Sequence, residues 1–116
     1  MYDYKAKVIR VVDGDTAEVV IDLGFNVTIR ETVRFARIDA YETRLGKKTT
    51  PEMKKIGLEA KQYVIDTIEG KEIYLKTYKD SGKYGRYIAD IFLDFEMTQN
   101  LNDDLVIKKY AVYKDY

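Results

Sequence analysis

The stretch VVDGDTAEVV, residues 11–20, constrains the fold more than any other part of the chain. It sets two carboxylates around a glycine, with runs rich in Val and Ile on either side, Lys5 to Asp13 and Thr16 to Asp22. Side chains branched at Cβ favour the pleated backbone. Asp-Gly between two such runs is a strong hairpin signal. The sequence therefore predicts two antiparallel strands joined at Asp13-Gly14-Asp15. A hairpin turn carries no chemistry of its own, so the tripeptide leaves open whether its carboxylates only shape the turn or also face a ligand.

The rest of the chain continues the pattern. Gly24 marks the next turn, and FNVTIRETVRFARI, residues 25–38, alternates as one long or bent strand. Residues 39–55 are polar and aperiodic and read as a loop with a helical start near Thr50-Pro51-Glu52, because Thr50 can cap and Pro51 suits a first helical turn. Ile56, Ala60, Tyr63, Val64, Thr67 and Ile68 recur at helical spacing, and Gly70 is a stop. Gly57 weakens the first turn, so a start near Gly57 is the alternative. EIYLKTY from Glu72 and YIADIFL from Tyr87 read as two further strands around the turn KDSGKYGR. TQNLNDDLVIKKYAVY reads as a second short amphipathic helix, with Leu101, Leu105 and Ile107 or Lys108 on its inner face. Three strands, a helix, two strands and a helix predict an α+β fold: a small closed antiparallel barrel of the oligonucleotide-binding kind with about two packed helices, in a single domain over residues 1–116.

Composition narrows the chemistry. At 116 residues, 46% hydrophobic and 34% charged, the chain can bury one core and is not of disordered composition. It has no Cys and no His, which excludes disulfides, a Cys/His zinc site, a His-based triad and an imidazole base. Catalysis would have to run on carboxylates, Arg, Lys, Tyr and hydroxyls, and a metal would be a hard cation held by oxygen. Nothing approaches the length of a membrane span, and the N-terminus shows no export signal, so a cytoplasmic protein is expected unless a precursor segment has been removed. The formal net charge is zero. Yet Lys76, Lys79, Lys83 and Arg86 alternate with Tyr74, Tyr78, Tyr84 and Tyr87. That mixture suits a phosphate chain with stacked bases, but composition alone favours a solvated Lys-rich hairpin whose tyrosines partly fill the core.

Two further stretches carry chemistry. In VRFARIDAYET, residues 33–43, Arg34 shares a strand face with Ala36 and Ile38, where a plain core would prefer a hydrophobe. A guanidinium there needs an anion, either a carboxylate or a phosphate. Asp39 and Glu42 follow as strand gives way to loop. In DSGKYGRYIADI, residues 80–91, Gly82 and Gly85 permit a tight turn that leads Arg86 into the next strand.

Taken together, Asp-Gly-Asp-Thr at 13–16, Arg34 followed by Ile38-Asp39-Ala40-x-Glu42-Thr43, a helix containing Glu59-Ala60, and Lys83-Tyr84-Gly85-Arg86 resemble the staphylococcal (thermonuclease) nuclease family, from about Val8 to about Ala111. The resemblance implies a five-stranded oligonucleotide-binding barrel and Ca2+-dependent cleavage of DNA and RNA phosphodiesters with little sequence preference, by a monomer. It implies that Asp15, Asp39 and the backbone carbonyl of Ala40 ligate one Ca2+, with Thr16 arranging the water shell. Glu42 would orient or deprotonate the attacking water, and Arg34 and Arg86 would hold the phosphate. Lys83 and Tyr84 would contact the nucleotide's phosphate, and Tyr113, with Tyr110 and Tyr116 as rivals, would stack on a base. The chain departs from the family at Tyr41, where proline is usual, and at Lys109, where glycine commonly ends the last matched helix. It also stops at Tyr116, short of longer forms with a further helix, which implies lower stability or a partner over that surface. The alternatives are a barrel of the same family that binds nucleic acid without cleaving it, and a structural domain whose charges are surface ion pairs.

Overall fold

The Val/Ile runs flanking Asp13 pair as β1 (Tyr2–Asp13) and β2 (Thr16–Asp22), with Ala6 opposite Ile21 and Asp13 opposite Thr16. That register leaves Gly14 and Asp15 as the turn. The computed structural model describes residues 2–41, 49–78 and 87–114. The third strand, β3 (Thr28–Phe35), runs antiparallel to β2 and sets Arg34 opposite Thr16.

Residues 25–38 do not form one continuous strand. At Ala36-Arg37 the chain turns, with Arg37 at φ 66°, and the Ala36 N–H is drawn to the Ala89 carbonyl at 2.8 Å. The chain then leaves the barrel as β4 (Ile38–Ala40). The shared strand face expected for Arg34, Ala36 and Ile38 is therefore broken after Phe35.

The long helix α1 (Pro51–Ile68) begins at the expected Thr50-Pro51 cap and not at the alternative start near Gly57. The Thr50 side chain accepts the Met53 N–H at 3.1 Å, so a satisfied cap outweighs one glycine in the second turn. Gly57, Ala60, Val64 and Ile68 form the buried face. Gly70, at φ 78°, ends the helix and donates to the Val8 carbonyl at 2.9 Å, while a Glu69 oxygen accepts the Val11 N–H at 3.0 Å beside an irregularity in β1.

Strands β5 (Glu72–Tyr78) and β6 (Tyr87–Phe92) complete a closed barrel in the order β1-β2-β3-β6-β5. Every barrel pairing is antiparallel except β3 with β6, where the crossover through α1 and β5 brings the chain back in the direction of β3. The expected all-antiparallel barrel thus has one parallel seam. Val8, Val19, Val33, Phe35, Leu75 and Ile91 fill it, with Val64 and Ile68 packed on them from α1.

The second helix, α2 (Leu101–Ile107), buries Leu101 and Leu105 as expected. Its third inward residue is Asn102, whereas Ile107 is 75% exposed and Lys108 also faces out. The chain ends its described part with β7 (Ala111–Tyr113), which pairs with β4 in a separate two-stranded sheet. No described helix is long and apolar enough to cross a membrane.

Candidate metal and phosphate centre

The site is built on the Gly14-Asp15 turn. A Cβ placed on Gly14 would lie 3.1 Å from the Ala40 Cβ and 3.2 Å from the Ala60 Cβ. A side chain there would need Ala40 or Ala60 to give by a few tenths of an ångström: the turn is wedged between β4 and α1. Ala60, on the helix side of that wedge, is small for the same reason.

This wedge aims Asp15 at β4. Its Oδ2 accepts the Ala40 N–H at 2.9 Å, and its Oδ1 accepts the Thr16 hydroxyl at 2.9 Å. Its backbone carbonyl accepts the Phe35 N–H at 2.8 Å, which fixes the turn to the end of β3. Across the β2–β3 ladder, Arg34 enters the same space with only 7% of its surface exposed. The anion it requires is present twice. Nη2 lies 3.2 Å from Asp39 Oδ1 and 3.4 Å from Asp15 Oδ2, and Nη1 donates to the Phe35 carbonyl at 3.0 Å. Asp39, on the short strand β4, is more open to solvent, and its Oδ2 lies 3.8 Å from Lys114 Nζ.

One guanidinium nitrogen therefore sits between two carboxylates from different parts of the chain, Asp15 from the first hairpin and Asp39 from β4. Among the described residues no third acidic side chain joins them. The chemistry of the two carboxylates, with Thr16 hydrogen-bonded to Asp15, fits a hard divalent cation. Asp13, the last residue of β1, stands opposite Thr16 at the start of the turn.

Tyr113 is on β7 opposite Ile38, 56% exposed. Its hydroxyl donates to Asp103 Oδ1 at 3.0 Å, which together with that carboxylate's charge raises the phenol's affinity for its proton. Its ring centroid is 6.0 Å from the Arg37 guanidinium carbon. Tyr110 instead packs its ring on Tyr63, with centroids 5.5 Å apart. Glu42, Lys83, Tyr84, Arg86 and Tyr116 lie outside the described residues.

A neighbouring network has no signal in the sequence. Arg37 donates through Nη2 to Asp90 Oδ1 at 2.7 Å and through Nη1 to Asp103 Oδ1 at 3.0 Å. The Tyr78 hydroxyl donates to Asp90 as well. Burial, reinforced by that bond, pushes the Tyr78 phenol up to about 12, and the Asp90 hydrogen bond raises the Arg37 guanidinium's affinity for its proton. The network ties the turn before β4 to β6 and α2, and so fixes the strand that carries Asp39 and Ala40.

A family model described as staphylococcal nuclease homologue matches residues 32–116, a range that contains Arg34, Asp39 and Ala40 and begins after the hairpin that supplies Asp15 and Thr16. No curated protein matches the chain significantly. The match covers most of the sequence, and the five-stranded barrel with its two helices agrees with it: the chain belongs to the staphylococcal nuclease homologue family.

Proposed function

We propose that the chain is a single nuclease domain that hydrolyses phosphodiester bonds of DNA and RNA with little sequence preference, dependent on one Ca2+. The observation that carries this reading is the meeting of Asp15, Asp39 and the buried Arg34 guanidinium at one point beside the Gly14 turn. The family is one of nuclease hydrolases in general, which supports a nucleic-acid substrate.

A phosphodiester is anionic and gains charge as water adds, so its cleavage calls for neutralisation and positioning rather than a covalent nucleophile. Asp15, Asp39 and the Ala40 carbonyl would hold the cation, which when bound supplies positive charge beside the phosphate. Thr16 keeps Asp15 turned toward that place through its hydroxyl. Arg34 and Arg86 grip the phosphate's non-bridging oxygens. Glu42, two residues beyond Ala40, takes a proton from the attacking water. The water oxygen bonds to phosphorus as the ester P–O bond breaks, and the departing oxygen takes its proton from solvent water. Lys83 and Tyr84 contact the nucleotide's phosphate, and Tyr113 offers an exposed ring to a base. No step needs imidazole, in keeping with a chain that has no His.

The test is hydrolysis of single-stranded DNA and of RNA in Ca2+, in Mg2+ and in excess chelator, with Glu42→Gln beside the wild type. Cleavage that requires Ca2+ and falls about a hundredfold or more in the variant is expected, the size of effect that a positioned general base supplies. Retained binding with intact substrate in every metal would instead assign the barrel a binding role without catalysis.

A further inference from the structure

Both oxygens of Asp39 are engaged by cationic side chains. Oδ1 takes Arg34, and Oδ2 faces the Lys114 ammonium at 3.8 Å. The second contact follows from strand register. Asp39 pairs with Val112 across β4 and β7, so Lys114, two residues on, is its diagonal neighbour on the same face of that ribbon. The Lys114 backbone is held there, donating to the Arg37 carbonyl at 2.7 Å.

The two cations are not equivalent. Arg34 has a side chain only 9% exposed and is fixed by the Phe35 carbonyl and by Asp15. The Lys114 side chain is 55% exposed and its contact is loose. Among the described residues, Asp15 and Asp39 face Arg34 and Lys114, and their formal charges cancel. A divalent ion reaching Asp39 Oδ2 competes there with the cation that already faces that oxygen. The more exposed and more loosely held of the two cations is Lys114.

We propose that Lys114 is a stand-in cation at the metal centre: it occupies Asp39 Oδ2 when no divalent ion is bound, must swing into solvent for one to bind, and thereby sets the affinity for that ion. The inference rests on the reading of Asp39 as a metal ligand. It makes Lys114 a residue that tunes cation binding, acting through Asp39 and distinct from the groups that grip the phosphate.

Calorimetric titration of the whole chain with CaCl2 tests it, using the wild type, Lys114→Met, Lys114→Arg and Lys7→Met. Lys7, on β1 opposite Val20, removes the same charge well away from the Gly14 turn. Lys114→Met is expected to bind Ca2+ about five- to tenfold more tightly, the scale of one unit charge about 4 Å away in a largely aqueous setting. Lys114→Arg should resemble the wild type, and Lys7→Met should be unchanged. The gain should shrink as added KCl shortens the screening length to about 3 Å. Equal or weaker binding by Lys114→Met, or an equal gain in Lys7→Met, overturns the stand-in role and leaves the metal reading intact. Failure of all four proteins to bind Ca2+ overturns both.

Discussion

Arg34→Ala is expected to lower the hydrolysis rate about a hundred- to a thousandfold, the cost of removing one preorganised donor from a site where negative charge develops. The variant should also unfold more easily. Arg34 is nearly enclosed, and its loss leaves Asp15 and Asp39 facing each other without the charge that lies between them. Breaking a buried pair by removing one partner costs about 3 kcal/mol or more. Asp39 is partly exposed, which places this case at the lower end of that range. The two effects separate by metal. In chelator, urea unfolding should show the full loss, and saturating Ca2+ should recover part of it, because the ion replaces the missing positive charge and binds only the folded state. Arg34→Lys keeps the charge without the fork that reaches the Phe35 carbonyl and both carboxylates, so its rate should fall between the two. Full activity in Arg34→Ala would remove the guanidinium from the chemistry and leave it a structural ion pair.

The largest expected loss of stability away from the site is at Asn102. This side chain is completely buried on α2, where its Oδ1 accepts the Ile91 N–H at 3.1 Å and its Nδ2 donates to the Ala36 carbonyl at 2.9 Å and the Ala89 carbonyl at 3.2 Å. It thus joins α2 to β6 and to the turn that precedes β4. Asn102→Ala strips three buried backbone groups of this partner. The Ala89 carbonyl still receives the Ala36 N–H, but Ile91 N–H loses its side-chain acceptor in the core. The cost should be about 3 kcal/mol, or about 12 °C in Tm for a domain of this size. Asn100 provides the comparison: it caps the same helix from a half-buried position, accepting the Asp103 N–H at 3.1 Å, and Asn100→Ala should cost only about 1 kcal/mol. Thermal melts of the two variants check the ranking. An Asn102→Ala variant no less stable than Asn100→Ala would mean that the buried amide does not join these elements.

The parts of the fold that were legible are those set by neighbouring residues. β2 and β5 run over the residues that their Val, Ile and Tyr content marks, and α1 begins at the Thr50-Pro51 cap. The need of Arg34 for an anion was also local, because apolar residues surround it in sequence. What was not legible depends on partners far along the chain. The break after Phe35 is held by Ala89, and the left-handed Arg37 that follows is stabilised by Asp90 and Asp103, 53 and 66 residues away. Nothing in the apolar spacing of α2 favours Asn102 over Ile107 as the inward residue. The choice is made by backbone groups of β6 that only the folded barrel brings there. Gly14 shows the same division. Turn chemistry located it correctly, but the close approach of Ala40 and Ala60, which leaves little room for a side chain, comes from the fold, and that same approach aims Asp15 at β4.

The most direct measurement is the number of Ca2+ ions bound per chain by the wild type, Asp15→Asn and Asp39→Asn, taken by equilibrium dialysis with folding of each variant verified. The expected result is one ion on the wild type and none on either variant at the same free Ca2+, since the proposed centre needs both carboxylates on the same ion. Calcium binding that survives both substitutions, or a folded wild type that binds none, would contradict a metal centre built on Asp15 and Asp39.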